Sequence, residues 1–152
     1  MKKSKSNKIS DHISFKEATH SNYAKQYGIK NVPSDEDIEN MKLVAEKVFE
    51  PLRDWVEAPI RVNSFYRSKE LNSAIKGSQV SSHLTGNAID ITSMGGKTNL
   101  EMFHYIKDNL DFDQLIWEFG AEPKWLHVSY KSKGNRKQVL VTKKQGVYYT
   151  WS

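Results

Sequence analysis

Hydrophobic residues recur at helical spacing in the first third of the chain. From Ile38 to Trp55 they follow one another at steps of three and four residues, as on one buried face of a helix. Ser34 and the acidic residues after it predict the start of this helix. Pro51 has no backbone N–H to donate, so we expect it to kink or divide the helix. The predicted buried positions are Ile38, Met41, Ala45, Val48, Leu52 and Trp55.

Four shorter helices are predicted from their end signals. They are Ser14–Glu17, Ser21–Tyr27, Ser68–Ile75 and a helix from Thr98 to about Leu110. The first and last begin with a serine or threonine followed three residues later by glutamate, which is a capping box. Gly28 and Gly77 stand just beyond the second and third, where glycine commonly ends a helix.

Strand-like segments dominate the rest of the chain. They are Ile60–Phe65, Ala88–Thr92, Asp113–Phe119, Trp125–Tyr130, Val139–Lys143 and Val147–Trp151. The last two flank a glycine-containing turn and predict a hairpin. Helices come early and strands late, with little alternation between them. This order predicts a single α+β domain with a mostly antiparallel sheet and helices packed mainly from the N-terminal half.

The length of 152 residues fits one domain with a real core. Residues 1–12 are basic and polar, which predicts a flexible arm before a domain spanning residues 13–152. The first residues lack the apolar segment of a signal peptide, and no apolar run reaches membrane-spanning length. We therefore expect a monomeric protein, made in the cytoplasm, that does not bind a membrane.

The formal net charge of +5 suggests an anionic partner such as nucleic acid, a membrane surface or a bacterial wall. A solubilising surface is the better explanation for most of the lysines. They are dispersed and no recognition helix is predicted, so nucleic-acid binding is not expected. Cysteine is absent, which leaves His, Asp and Glu as the side chains for any metal site.

The segment Ser81–Asp90 concentrates candidate chemistry. Alternation in its strand turns Asp90 away from the two flanking isoleucines, and a half-buried carboxylate needs a partner. His83 lies seven residues earlier, across a turn that Gly86 permits. Imidazole and carboxylate are ligands that zinc accepts, so a third ligand is expected from elsewhere in the chain.

His127 is the candidate third ligand. Alternation along Trp125–Tyr130 places it opposite the hydrophobic residues of that strand, on a face suited to line a cleft. Together with His83 and Asp90 it would supply two imidazoles and one carboxylate. A fourth tetrahedral position would then remain for water, which is typical of catalytic zinc.

The pattern Ser-x-His-x-x-Gly-x-Ala-x-Asp at positions 81–90 is followed about forty residues later by Trp-x-His. This arrangement resembles the family of zinc D-alanyl-D-alanine carboxypeptidases and L-alanyl-D-glutamate endopeptidases. That family shares its fold with the Hedgehog signalling domain and includes many phage endolysins. The similarity extends roughly from Lys16 to Tyr130.

The resemblance implies zinc bound by His83, Asp90 and His127. It also implies that Arg67 orients a carboxylate or carbonyl group of the substrate, because its surroundings resemble the substrate-binding arginine segment of the family. An arginine that pairs structurally with Glu70 is the rival interpretation.

The sequence offers two candidates for the general base. Many members of the family carry an acid three residues before the last histidine, and Lys124 occupies that position here. Glu118 ends the preceding strand and faces away from its hydrophobic residues, so we expect it to be the catalytic base. Glu122, in the loop before Pro123, is the alternative.

The resemblance therefore implies a Zn²⁺-dependent peptidase that hydrolyses the stem peptide of peptidoglycan, as phage endolysins do, after release to the cell wall. The positive charge suits an anionic wall. A non-catalytic module of the same fold that binds zinc or the wall is the alternative, and Lys124 is the residue that keeps it open.

Overall fold

The computed structural model describes residues 7–151 of the chain. A six-stranded sheet lies at the centre of this part of the protein. The strands of this sheet and of a separate two-stranded pair are, in chain order, β1 (Lys8–Ser10), β2 (Ile13–Ser14), β3 (Ile60–Ser64), β4 (Ala88–Ser93), β5 (Gln114–Glu118), β6 (Trp125–Ser129), β7 (Gln138–Lys144) and β8 (Val147–Thr150). β1 and β2 pair separately, whereas the large sheet has the order β3-β4-β6-β5-β7-β8. Its pairs are antiparallel except β5 with β7. The predicted α+β class with a mostly antiparallel sheet is confirmed.

The described residues also form six α-helices. They are α1 (Phe15–Thr19), α2 (Asn22–Tyr27), α3 (Asp35–Val44), α4 (Glu50–Val56), α5 (Lys69–Ala74) and α6 (Asn99–Asn109). Capping boxes begin α1 at Ser14, α3 at Ser34 and α6 at Thr98, so these predicted starts are confirmed. No helix of the described residues is long and apolar enough to cross a membrane.

The helix that was expected to kink or divide at Pro51 is divided by a π-helical turn just before the proline. A π-helical segment, Ala45–Phe49, joins α3 to α4 without a break. The N–H of Glu50 reaches back five residues to the carbonyl of Ala45. Pro51 then stands in the first turn of α4, where its missing N–H is tolerated. The proline therefore divides the helix without ending it.

The hydrophobic core lies between one face of the sheet and the helices α3, α4 and α6. Burial of each large apolar side chain stabilises the fold by about 1.5–3 kcal/mol. Because this face of the sheet is committed to the core, polar residues on the alternate positions face the other way. Fully buried members include Met41, Val48, Leu52, Ile89, Ile91, Met102, Phe103, Ile106, Leu115, Leu126 and Val128.

The predicted flexible arm differs from the structure in its second half. Its first six residues lie outside the described part of the chain. Lys8–Ser10 forms β1, and Ile9 is buried in the core at 6% exposure. The hydroxyl of Ser10 donates to the carboxylate of Glu50, and the His12 ring lies 2.7 Å from the same carboxylate. One apolar residue and a carboxylate partner thus anchor a stretch whose basic composition suggested disorder.

Candidate metal centre

Asp90 and His127 are brought together by the pairing of two strands. β4 and β6 run antiparallel with Asp90 directly opposite His127. Side chains at such facing positions lie about 5 Å apart on the same face of the sheet. Ile89 and Ile91 are completely buried on the core face, so Asp90 projects toward the open face as the alternation predicted.

His83 reaches the same place from a short 3₁₀ turn, Ser82–Thr85, that precedes β4. The turn begins at Ser81, whose hydroxyl accepts a hydrogen bond from the N–H of His83. It ends at Gly86, which has a φ of +77°. A Cβ at Gly86 would lie 2.6 Å from the carbonyl oxygen of Asp37 in α3, so only glycine lets the turn pack this closely.

The three candidate ligands form one cluster. One ligand atom from each of His83, Asp90 and His127 lies within 4.8 Å of the other two. Oδ1 of Asp90 is 3.2 Å from Nε2 of His83 and 3.0 Å from Nδ1 of His127. The cluster is almost fully buried, because the side chains of His83, His127 and Asp90 are 1%, 13% and 15% exposed.

The protonation of His83 shows that the cluster fits a cation. Its Nδ1 lies 2.7 Å from the carbonyl oxygen of Phe65, which can only accept, so Nδ1 carries the proton. Nε2 is then an unprotonated acceptor, buried and without a hydrogen-bond partner, and it faces the carboxylate of Asp90. Burial lowers the pKa of His83 and favours this neutral form. Two electron-rich groups facing one another out of water are stabilised by a cation between them.

Asp90 supplies negative charge to the cluster. Burial raises the pKa of the Asp90 carboxyl, but the neighbouring imidazoles of His83 and His127 outweigh burial and lower it. A carboxylate and two imidazoles are a ligand set for zinc.

Glu118 lies beside the cluster on β5. In the β5–β6 pair, Ile116 is opposite His127 and Glu118 is opposite Trp125, so Glu118 is the diagonal neighbour of His127. Diagonal positions are about 7–8 Å apart, within reach of a long side chain. Burial raises the pKa of Glu118 to about 7, the charge of Asp90 adds to this effect, and His127 and Arg67 oppose it.

The alternative base occupies a different position. Glu122 is exposed in the turn between β5 and β6. The N–H of Lys124 donates to the carbonyl oxygens of Glu118 and Phe119, at 2.9 and 3.2 Å, and closes this turn. Lys124 stands where many family members have an acid, three residues before His127, and its backbone closes the turn. Glu118 instead lies beside the cluster on the neighbouring strand.

Arg67 is attached to the cluster through the turn that carries His83. Its N–H donates to the carbonyl of His83 at 3.1 Å, and Nη2 donates to the hydroxyl of Ser81 at 3.3 Å. Its Nε is buried and has no hydrogen-bond partner. Burial lowers the pKa of Arg67, and the charges of Asp90 and Glu118 oppose that change. Within the described chain no ion pair joins Arg67 to Glu70, which is exposed.

Two contributors to this region were not anticipated from the sequence. The Phe65 carbonyl sets the tautomer of His83, and a backbone group carries no signal in the side-chain pattern. Tyr148, on the last strand, shares the open face of the sheet with Glu118. Alternation along β8, counted from a known pairing, would have indicated it.

Comparison with known proteins agrees with this geometry. A search of curated proteins gave no match. The family model described as Peptidase M15 matches residues 11–129, which is most of the chain and includes Arg67, Glu118 and the three clustered residues. Peptidases of this family depend on zinc, and the donor set assembled here suits that ion. The chain therefore belongs to the Peptidase M15 family of metallopeptidases.

Proposed function

We propose that the protein is a zinc-dependent hydrolase of the stem peptide of peptidoglycan, an endolysin-like enzyme of cell-wall lysis. The observation that carries the proposal is the buried, unprotonated Nε2 of His83, which faces the Asp90 carboxylate with Glu118 close by. His83, Asp90 and His127 would hold the ion. When bound, zinc polarises a scissile carbonyl and lowers the pKa of water to about 7.

Glu118 supplies the proton transfer in this proposal. Its carboxylate accepts a proton from the attacking water and then gives it to the leaving amine. A base works best when its pKa lies near the operating pH, and burial raises the pKa of Glu118 to about 7. Glu118 thus takes the role that an acid at position 124 has in many related enzymes.

Arg67 supplies substrate binding. The half-buried guanidinium of Arg67, whose Nε is unpaired, has donor capacity left for a carboxylate or carbonyl oxygen of the peptide. Its contacts with Ser81 and with the backbone of His83 keep it in register with the metal ligands. Fixing the peptide relative to the reacting groups contributes a large part of a peptidase's rate.

The choice of substrate rests on charge and on the resemblance described above. Stem peptides carry several free carboxylates, which suit Arg67 and a protein with a formal net charge of +5. A non-catalytic module that binds zinc or the wall is the second candidate, favoured by Lys124. The position of Glu118 argues against this second candidate, because Glu118 supplies a carboxylate beside the cluster although Lys124 replaces the usual acid.

The test uses purified protein, isolated stem tetrapeptide and whole peptidoglycan, with products identified by mass spectrometry. We expect cleavage of the peptide and clearing of the wall suspension. Both should stop with a chelator and return with zinc. Wall binding without cleavage, unchanged by zinc, would favour the non-catalytic module. Cleavage that persists in excess chelator would contradict the proposed metal dependence.

A further inference from the structure

The C-terminal hairpin places one tyrosine on the same face as the metal cluster. Glu118 is opposite Thr142 in the β5–β7 pair, and Thr142 is opposite Tyr148 in the β7–β8 pair. Residues directly opposite on neighbouring strands project to the same side of a sheet. Glu118, Thr142 and Tyr148 therefore form a row across three strands, on the open face.

The middle residue of this row is covered. Thr142 is 1% exposed although it lies on the open face. Its hydroxyl points along its own strand toward the carbonyl oxygens of Lys144 and Val147, at 2.8 and 2.6 Å, so it does not project above the sheet. Its neighbours in the row are Glu118 on one side and Tyr148 on the other.

Electrostatics favour the protonated phenol. Burial, together with the charges of Glu118 and Asp90, raises the pKa of Tyr148, so its hydroxyl stays protonated at neutral pH and can donate a hydrogen bond. β8 and β4 are separated by four strand spacings, about 19 Å in all, so a peptide that contacts both strands would cross the open face of the sheet.

The neighbouring tyrosine provides a contrast. Tyr149 is opposite Val141, which is in turn opposite Trp117 on β5, so Tyr149 projects to the other face of the sheet. There it lines a cavity of about 560 Å³ with Trp117 and Trp151. Both tyrosines lie beyond residues 11–129, so neither belongs to the part of the chain that matches the family.

We propose that the Tyr148 hydroxyl binds substrate by donating a hydrogen bond to an oxygen of a peptide lying between the metal cluster and the hairpin. The hairpin then forms the far wall of the binding cleft, opposite Arg67. A half-exposed phenol on the same face as Glu118 suits this role, and Tyr148 is 50% exposed. The inference rests on the proposed peptidase activity.

The test compares Tyr148→Phe with Tyr149→Phe, which removes the same atom from the opposite face. Rates are measured on stem tetrapeptide and on a pool of unrelated tri- and tetrapeptides. Loss of one neutral hydrogen bond predicts a KM about three- to tenfold higher for Tyr148→Phe, with kcat within about twofold. Tyr149→Phe should match the wild type. Melting temperature and zinc content should be unchanged in both variants.

The outcomes separate this inference from the proposed function. An active wild type with a KM for Tyr148→Phe within twofold of its own overturns the role of Tyr148 alone. Equal losses in both tyrosine variants do the same, since they would reflect the hairpin as a whole. A wild type that cleaves only pool peptides overturns the stem-peptide assignment, and the role of Tyr148 is then tested by its KM on those peptides. A wild type that cleaves neither overturns both.

Discussion

Two buried aspartates in this protein have opposite surroundings. Asp113, just before β5, is 2% exposed and accepts from Nε and Nη2 of Arg136 at 2.9 and 2.8 Å. The N–H of Arg136 and the ammonium of Lys131 complete its environment. Asp90 instead faces two histidines, one of which presents an unprotonated nitrogen.

The difference shows how a binding site is distinguished from a structural ion pair. The hydrogen bond from Arg136 lowers the pKa of Asp113, and the chain itself neutralises this charge. At Asp90 the chain supplies ligands but no lysine or arginine in contact, among the described residues. A buried carboxylate that the fold leaves incompletely paired is the one available to a metal ion.

The largest expected effect follows from removing either of the two histidines that face Asp90. His83→Ala and His127→Ala should lower zinc from one ion per chain to nearly none and reduce hydrolysis to background. Each change removes one of the three proposed protein ligands. Elemental analysis of the purified variants provides the measurement. His20→Ala, which changes an exposed histidine, should retain full zinc. Full occupancy in His83→Ala would refute the ligand assignment.

The next effect concerns the carboxylate beside the cluster. Glu118→Gln keeps the shape of the side chain and removes its basicity, so kcat should fall about 10²- to 10⁴-fold with zinc retained. Glu122→Gln is the matched control and should be nearly silent. Stopped-flow or steady-state measurement of kcat on the stem peptide compares the two variants. Reversed results would place the base in the turn before Pro123.

A smaller loss is expected from Arg67→Ala. Hydrogen bonds from a charged donor contribute about 1.5–3 kcal/mol, which corresponds to roughly 10- to 100-fold in kcat/KM. Zinc content should stay near one ion per chain. Glu70→Ala tests the rival interpretation and should leave kcat/KM unchanged. If Glu70→Ala and Arg67→Ala lowered the melting temperature equally and left activity intact, the arginine would be structural.

Change at the other aspartate should affect stability and spare the reaction. Arg136→Ala leaves Asp113 buried without its main partner and should cost about 1–3 kcal/mol of unfolding free energy. Because the folded pKa of Asp113 is lowered, its contribution is present above the unfolded value of about 3.9 and is lost as the pH falls below it. Urea unfolding of wild type and variant should therefore converge toward low pH. An activity loss in folded Arg136→Ala would contradict the comparison.

Prediction from the sequence succeeded where the rule is local. Strand alternation placed Asp90 on the open face because Ile89 and Ile91 are both buried on the other. Capping residues located the helix starts for the same reason, since each cap involves only neighbours along the chain.

Long-range pairing was beyond such rules. Nothing in the sequence indicates that β6 lies between β4 and β5, which is what puts His127 opposite Asp90 and next to Glu118. The parallel pairing of β5 with β7 was also unforeseen, because it depends on a strand arriving from later in the chain. Ile9 is a further case, since a single apolar residue in a basic stretch gives no periodicity.

The parallel pair has a consequence for the order in which the protein is made. Strands β3 to β6 leave the ribosome before β7, so β5 has one unpaired edge until the C-terminal hairpin arrives. Exposed strand edges invite pairing with other chains, which makes this interval a point of vulnerability during synthesis. Glu118, at the end of β5, reaches its final surroundings only when that edge is closed. Residues translated after β5 and β6 thus complete the environment of the proposed base.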